Sequence, residues 1–307
     1  MPSITRKHSE RGMDSNSRPT WILLRGLARE AAHWGGFAEA LRLAMPDSRV
    51  IALDLPGNGQ LHSVSSPPSI SAMVSYCRAE MERRGEKPPF YLLAMSLGAM
   101  VATEWSYQAP GDVAGCVLIN TSFRPFSPFY RRLRPHNYWP LVRLAVTRAA
   151  PVEWEHTILR LTSNRAKELE GVIPEWTAIR RLRPVSTRNT LRQLLAAARY
   201  RVRSKAPATK LLILASERDC LVDVKCSLTV ASRWACSLEL HSSAGHDLPL
   251  DDPLWVIEQV KRWITDTPAL DSGSTSQLKA TAMPSAMLPM PVAENVLDQS
   301  RACYRDL

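Results

Sequence analysis

Six short runs rich in Val, Ile and Leu recur along the chain, separated by stretches of helical period, and this alternation constrains the fold more than any other feature. The runs are WILLRG from Trp21, RVIALDLPG from Arg49, FYLLAMS from Phe90, VAGCVLINTS from Val113, KLLILAS from Lys210 and SLELHSS from Ser237. Nearly continuous apolar runs of this length describe strands buried on both faces, the situation in a parallel sheet with helices on each side. Helices are read in GGFAEALRLAM, ISAMVSYCRAEMERRG, LGAMVATEWSYQAP and DPLWVIEQVKRWI. Right-handed crossovers join such strands into one core. The expected fold class is α/β, a mostly parallel sheet covered by helices on both faces.

The alternation breaks once, between Phe123 and Lys205, where only helical patterns appear. Candidate helices there are WPLVRLAVTRAA, VEWEHTILRLTSNRAKELE, PEWTAIRRL with Pro174 near its start, and STRNTLRQLLAAARYRV capped by Ser186 or Thr187. The segment reads as a helical cap inserted over one end of the sheet. The expected organisation is a polar leader over residues 1–20, a core over 21–122 and 206–265, the cap over 123–205, and a flexible tail over 266–307. The tail mixes Ser, Thr, Ala, Met and Pro without a packable period.

Composition excludes several classes. With 45% apolar and 22% charged residues the chain is neither disordered nor fibrous. No run of about 18 apolar residues predicts a membrane span, and the first twenty residues lack the apolar segment of a secretory signal, so a cytoplasmic location is expected. Six cysteines without a CxxC pair predict reduced thiols and no structural zinc. The net charge of +10 is unevenly spread. Between Phe123 and Lys205 sixteen arginines and two lysines face five glutamates, a net of +13, which leaves the rest of the chain net negative. A solvated face explains some of these arginines. The remainder suit an anionic partner such as an acidic carrier, a phosphate-bearing acyl donor or a lipid surface. Nucleic acid is not expected, because no binding module or interleaved aromatics accompany the charge.

The sharpest local signal is YLLAMSLGAMVATEW, an apolar strand that runs through Ala94-Met95-Ser96-Leu97-Gly98 into a helix. A serine on such a tight strand-to-helix turn is pushed clear of the sheet, and small neighbours such as Ala94 and Gly98 let the helix approach closely. The bland reading of Ser96 is a helix-capping serine. A serine nucleophile requires a base and a group that orients it. Strand KLLILAS is followed by Glu217-Arg218-Asp219, with Asp223 also near, and the last strand leads to Gly245-His246-Asp247. His246 lies in a turn, whereas its rival His241 sits inside the strand pattern. His33, His62, His136 and His156 read as loop or surface residues.

These residues carry a resemblance to the α/β-hydrolase superfamily, in particular its capped esterases and lipase-like enzymes. The matching segments are LLRGLAREAAHWGGF, ALDLPGNG, AMSLGAM, SERDCLVD and AGHDLPLDDP, spread over about Trp21 to Ile264, and the order Ser, Asp, His is that of the superfamily. The resemblance implies Ser96 as nucleophile, His246 as general base and Asp219 as the acid. It places the acid at Asp219, ahead of Asp223 and Glu217, because Leu221 and Val222 follow it. It also implies an oxyanion hole made of the Leu27 and Leu97 N–H groups. Members commonly carry His-Gly where this chain has Arg25-Gly26, so Arg25 is either a buried structural arginine or one that binds an anionic substrate. The implied reaction is hydrolysis of a carboxylic ester of a small-molecule acyl substrate through an acyl-enzyme, without metal or organic cofactor. Alternatives are a thioesterase or acyltransferase acting on an anionic acyl donor, or a non-catalytic binding protein on the same scaffold.

Overall fold

A computed structural model of the chain describes residues 18–147 and 149–266. The expected tail and most of the expected leader lie outside these residues. In chain order the core elements are β1 (Thr20–Leu24), α1 (Gly36–Ala44), β2 (Arg49–Leu53), α2 (Ile70–Arg83), β3 (Phe90–Met95), α3 (Leu97–Gln108) and β4 (Val113–Ile119). Five helices follow without a strand: α4 (Phe129–Arg132), α5 (Tyr138–Val146), α6 (Pro151–Thr162), α7 (Ile173–Leu182) and α8 (Thr187–Arg199). The core resumes with β5 (Lys210–Ser216), α9 (Lys225–Trp234), β6 (Ser237–His241), α10 (Leu248–Asp251) and α11 (Pro253–Thr265).

All six expected strands form, and they make one parallel sheet in the order β2-β1-β3-β4-β5-β6. The period of two along each strand sorts side chains onto two faces. Ile22, Leu24, Leu92, Ala94, Cys116 and Leu118 join residues of α2, α3 and α9 in one cluster. Trp21, Leu23, Leu93, Met95, Val117 and Ile119 join residues of α1 and α11 in the other. Both faces are therefore covered, which is why the strands read as unbroken apolar runs.

The stretch that leaves the core is shorter than 123–205. Phe123 and Phe126 at one end, and Ala196 and Val202 at the other, are buried in the larger sheet cluster. The helices between them have a small apolar cluster of their own, built on Leu159, Ile173, Trp176 and Ile179. The long helix read through VEWEHTILRLTSNRAKELE ends at Thr162, because Ser163 turns out of the helix at φ −122° and its hydroxyl bonds Asp251 instead. At α8 the cap is Ser186, whose hydroxyl accepts from the Asn189 N–H.

Among the described residues no helix is long and apolar enough to cross a membrane, and no cluster of His, Cys, Asp and Glu could hold a metal ion. Cys77, Cys116, Cys226 and Cys236 are free thiols. Cys220 is disulfide-bonded, against the expectation of six reduced thiols.

Candidate active site

The strand order reverses at β1: the chain moves outward to β2, then returns past β1 to β3. The loops leaving β1 and β3 therefore part to opposite sides, and the crevice between them at the carboxyl ends is where sheets of this kind take ligands. Ser96 follows β3 directly, and the loop Arg25-Gly26-Leu27-Ala28-Arg29 follows β1.

Ser96 adopts φ +53°, ψ −114°, a left-handed conformation that costs a serine about 1–3 kcal/mol and persists because its surroundings hold it. Its N–H donates to the Ile119 carbonyl at 3.0 Å, and its own carbonyl accepts from Ala99 N–H and the Thr121 hydroxyl. Close approach explains the small residues around it. A methyl group on Gly98 would lie 2.4 Å from the Leu24 carbonyl oxygen, so only glycine lets α3 start this near the end of β1. A methyl group on Gly26 would lie 3.3 Å from Ser96 Cβ and 3.8 Å from its Oγ, which sets the loop after β1 beside the hydroxyl. The N–H groups of Leu27 and Leu97 donate to no acceptor among the described residues. The structure thus brings Ser96 and the Gly26-Leu27 loop together.

Asp219 and His246 meet as well. His246 Nδ1 lies 2.7 Å from Asp219 Oδ2, with both side chains buried. The other carboxylate oxygen accepts from the N–H groups of Leu221 and Val222 at 2.8 and 2.9 Å, so the turn after β5 fixes the acid from its own backbone. The rivals are engaged elsewhere. Asp223 accepts from the Lys225 N–H, and His241 stands against Asp252 and perpendicular to the Trp255 ring. Arg25 is buried, with its guanidinium on both oxygens of Asp247 at 3.0 and 2.5 Å and over the Trp34 ring. These contacts engage the guanidinium with a carboxylate and a ring of the protein itself. Burial, the largest single influence, would raise Asp247, but the charge and hydrogen bonds of Arg25, joined by Arg29 and His246, together hold the carboxyl below the ordinary carboxylate range.

Several supporting residues escaped the sequence reading. Asn120, at φ +45° just after β4, donates to the His246 carbonyl at 2.8 Å and accepts from the Ser216 N–H, tying the histidine turn to the end of β5. Asp251 accepts from the N–H groups of Gly245 and Asn164 and from the Ser163 hydroxyl, and Asp247 N–H donates to the Thr162 carbonyl. The end of α6 thereby braces the histidine turn. The loop after β1 is braced too, because Gln193 of α8 accepts from Ala28 N–H at 2.9 Å and Arg29 pairs with Glu155 of α6. His33, expected in a loop or on the surface, is buried against Trp176 of α7, with the two rings edge to face, and desolvation with nearby arginines keeps its ring neutral far below the usual range. The sign for it was the HW dipeptide beside a buried run.

The profile of the alpha/beta hydrolase family matches residues 21–259. Among solved structures, protein Rv0554 from Mycobacterium tuberculosis superposes with a TM-score of 0.65 at 19% identity, over 83% of this chain and 92% of that one. A thermophilic esterase from Thermogutta terrifontis does so at 0.63 and 18% identity, over 81% and 90%. The 2-hydroxy-6-oxo-6-phenylhexa-2,4-dienoate hydrolase from Rhodococcus gives 0.62 and 17% identity, over 80% and 90%. At these identities the likeness is one of fold. Among curated proteins no sequence matches the chain.

Proposed function

The chain belongs to the alpha/beta hydrolase family, and from that premise we propose that it is a serine hydrolase that cleaves a carboxylic ester through an acyl-enzyme on Ser96. The observation that carries this reading is the 2.7 Å contact of His246 Nδ1 with Asp219, in a chain whose Ser96 is held at φ +53° at the end of β3.

In this reading the Nδ1–H of His246 donates a hydrogen bond to the Asp219 carboxylate and keeps its proton, which leaves the lone pair of Nε2 to take the proton of Ser96 Oγ. Oγ attacks the ester carbonyl. The negative charge that develops on the carbonyl oxygen is met by the Leu27 and Leu97 N–H groups, each such donor being worth on the order of 10² to 10³ in rate. Leu97 opens α3, so its N–H is one of those a helix leaves unpaired at its start. The imidazolium returns its proton to the departing alkoxide. Water then attacks the acyl-enzyme by the same steps, and Asp219 stabilises the charged ring each time. Arg25 acts as framework: it is spent on Asp247, and it ties the residue next to His246 to the residue next to Gly26.

Ser96→Ala should abolish both labelling by a fluorophosphonate probe and turnover of short p-nitrophenyl esters, with the melting temperature within a few degrees of the parent. Losing one member of a unit that acts together costs on the order of 10⁴ to 10⁶ in kcat. Undiminished labelling of the variant would overturn the assignment. Asp219→Asn should cost on the order of 10⁴ in kcat, whereas Asp223→Asn should leave most activity.

A further inference from the structure

Helix α8 is turned inside out. The side chains it buries are Asn189, Gln193 and Ala196, and the two amides are fully used against the core. Asn189 accepts from Ser66 N–H and donates to the Val64 carbonyl, and Gln193 donates to Asn58 and Ser66 while accepting from Ala28. The opposite face carries the leucines. Leu191, Leu194 and Leu195 are 59%, 46% and 39% exposed. Single exposed leucines are ordinary, but three at helical spacing on a helix whose polar side faces inward form an unpartnered apolar stripe.

Charge frames that stripe. Arg188, Leu191, Leu195 and Arg199 follow one another at steps of three, four and four residues, so they lie in one row with a cation at each end. Neither arginine has an ion-pair partner among the described residues, and α8 contains no acidic residue. Elsewhere in the same segment, Arg132 of α4 donates to the Ala197 carbonyl of α8 at 2.7 Å, and Phe129 and Tyr130 of α4 are 73% and 49% exposed.

We propose that this face of α8 docks on an anionic lipid surface. An apolar row with arginines at its ends matches the boundary between acyl chains and negative headgroups, where leucine and aromatic side chains enter the apolar side and guanidinium groups stay among phosphates. A second copy of the chain is a poor occupant, because it would set one strongly basic cap against another. The contact is peripheral, since no described helix spans a membrane.

The test uses the full chain and its Ser96→Ala variant, sedimented with phosphatidylcholine vesicles containing either none or one third phosphatidylglycerol. Binding to the anionic vesicles should exceed binding to the neutral ones by at least tenfold and fall several-fold between 100 and 500 mM NaCl. Arg188→Gln with Arg199→Gln should weaken anionic binding about 30-fold, since each cation near such a surface contributes about a factor of five. Leu191→Gln with Leu195→Gln should weaken it at least tenfold, and because both side chains point outward the melting temperature should hold. Hydrolysis of a short soluble ester should be unchanged in both pairs. Equal binding to the two vesicle types, or parent-like binding by either pair, would overturn the proposal. So would a dimer in sedimentation velocity that Leu194→Glu dissolves, which would assign the face to a second copy. Vesicle binding without esterase activity would leave this inference standing and sink the serine hydrolase reading instead.

Discussion

The sheet and the helical insertion are held by different physics. The inner strands β1, β3, β4 and β5 bury apolar side chains on both faces, and each has a neighbour on either side. The insertion packs a few apolar side chains on that core, Ala196 among them, and adds contacts of charges and amides: Arg29 and Arg180 converge on Glu155, Arg183 on Glu30, and Gln193 on Asn58. An apolar core tolerates substitutions of similar volume, whereas a buried charge is only as good as its partners. The insertion is therefore positioned by a small number of directional contacts, and those contacts touch the loop after β1 and the histidine turn.

The most damaging single change in this contrast should be Glu155→Ala, which leaves Arg29 and Arg180 facing each other with no carboxylate. Breaking a buried pair in this way costs about 3–5 kcal/mol, to be read by urea unfolding. On the sheet side, Leu93→Ala should cost about 2–5 kcal/mol as a cavity. The comparison sharpens with a triple replacement of Arg29, Glu155 and Arg180 by apolar residues of like size, which should recover most of the Glu155→Ala loss. If the triple variant were as unstable as the single one, directional pairing would not be what holds the insertion.

Gln193→Ala comes next. It leaves Ala28 N–H and Asn58 without their partner, a loss of about 1–3 kcal/mol. Because Ala28 adjoins Leu27, kcat for a short ester should fall more than KM changes. A rise in KM alone would detach α8 from the loop after β1.

A smaller effect separates two aspartates of the histidine turn by pH. Burial pushes Asp251 above the ordinary carboxylate range, against the hydrogen bonds it accepts from Ser163, Gly245 and Asn164. Its folded form thus holds a proton more tightly than the unfolded chain, so its contribution to stability declines as pH rises from about 3.9 through the raised value. Asp247 is held low by Arg25, so its contribution is present above about pH 3.9 and is lost as pH falls through the folded value. Melting curves should show Asp251→Asn losing least, relative to the parent, at the upper end of that window. Replacing Arg25 and Asp247 together with methionine should flatten the acid limb. The opposite slopes would reverse the two environments.

At the bottom of the scale, Arg42→Ala should leave the melting temperature unchanged within error, because its pair with Glu39 is fully in solvent. A measurable drop would mean that charge pairs count equally wherever they lie, and the contrast between the two regions would fail.

The parts of this arrangement that were legible in the sequence are the ones written locally. The strands showed as apolar runs, the Ser96 elbow as small residues at fixed offsets, and the Asp219 and His246 turns as breaks after strands. Asn120, Asp251, Glu155 and Gln193 were not legible, because each is an ordinary polar residue whose partner lies far along the chain: Asn120 bonds the His246 carbonyl and Gln193 the Ala28 N–H. The outward turn of the α8 leucines was not legible either, for a different reason. Their spacing is that of any amphipathic helix, and periodicity does not say which face is turned to the core.

In the serine hydrolase reading, the left-handed backbone at Ser96 sets stability and activity against each other in evolution. Glycine rests at φ +53° at no steric cost, so Ser96→Gly should melt higher than Ser96→Ala, by an amount on the order of 1 kcal/mol. A population freed from selection for turnover would find that substitution cheap and stabilising, and it would drift toward an inert, sturdier fold. Serine at this position is thus a trait that only continued use of its hydroxyl can maintain.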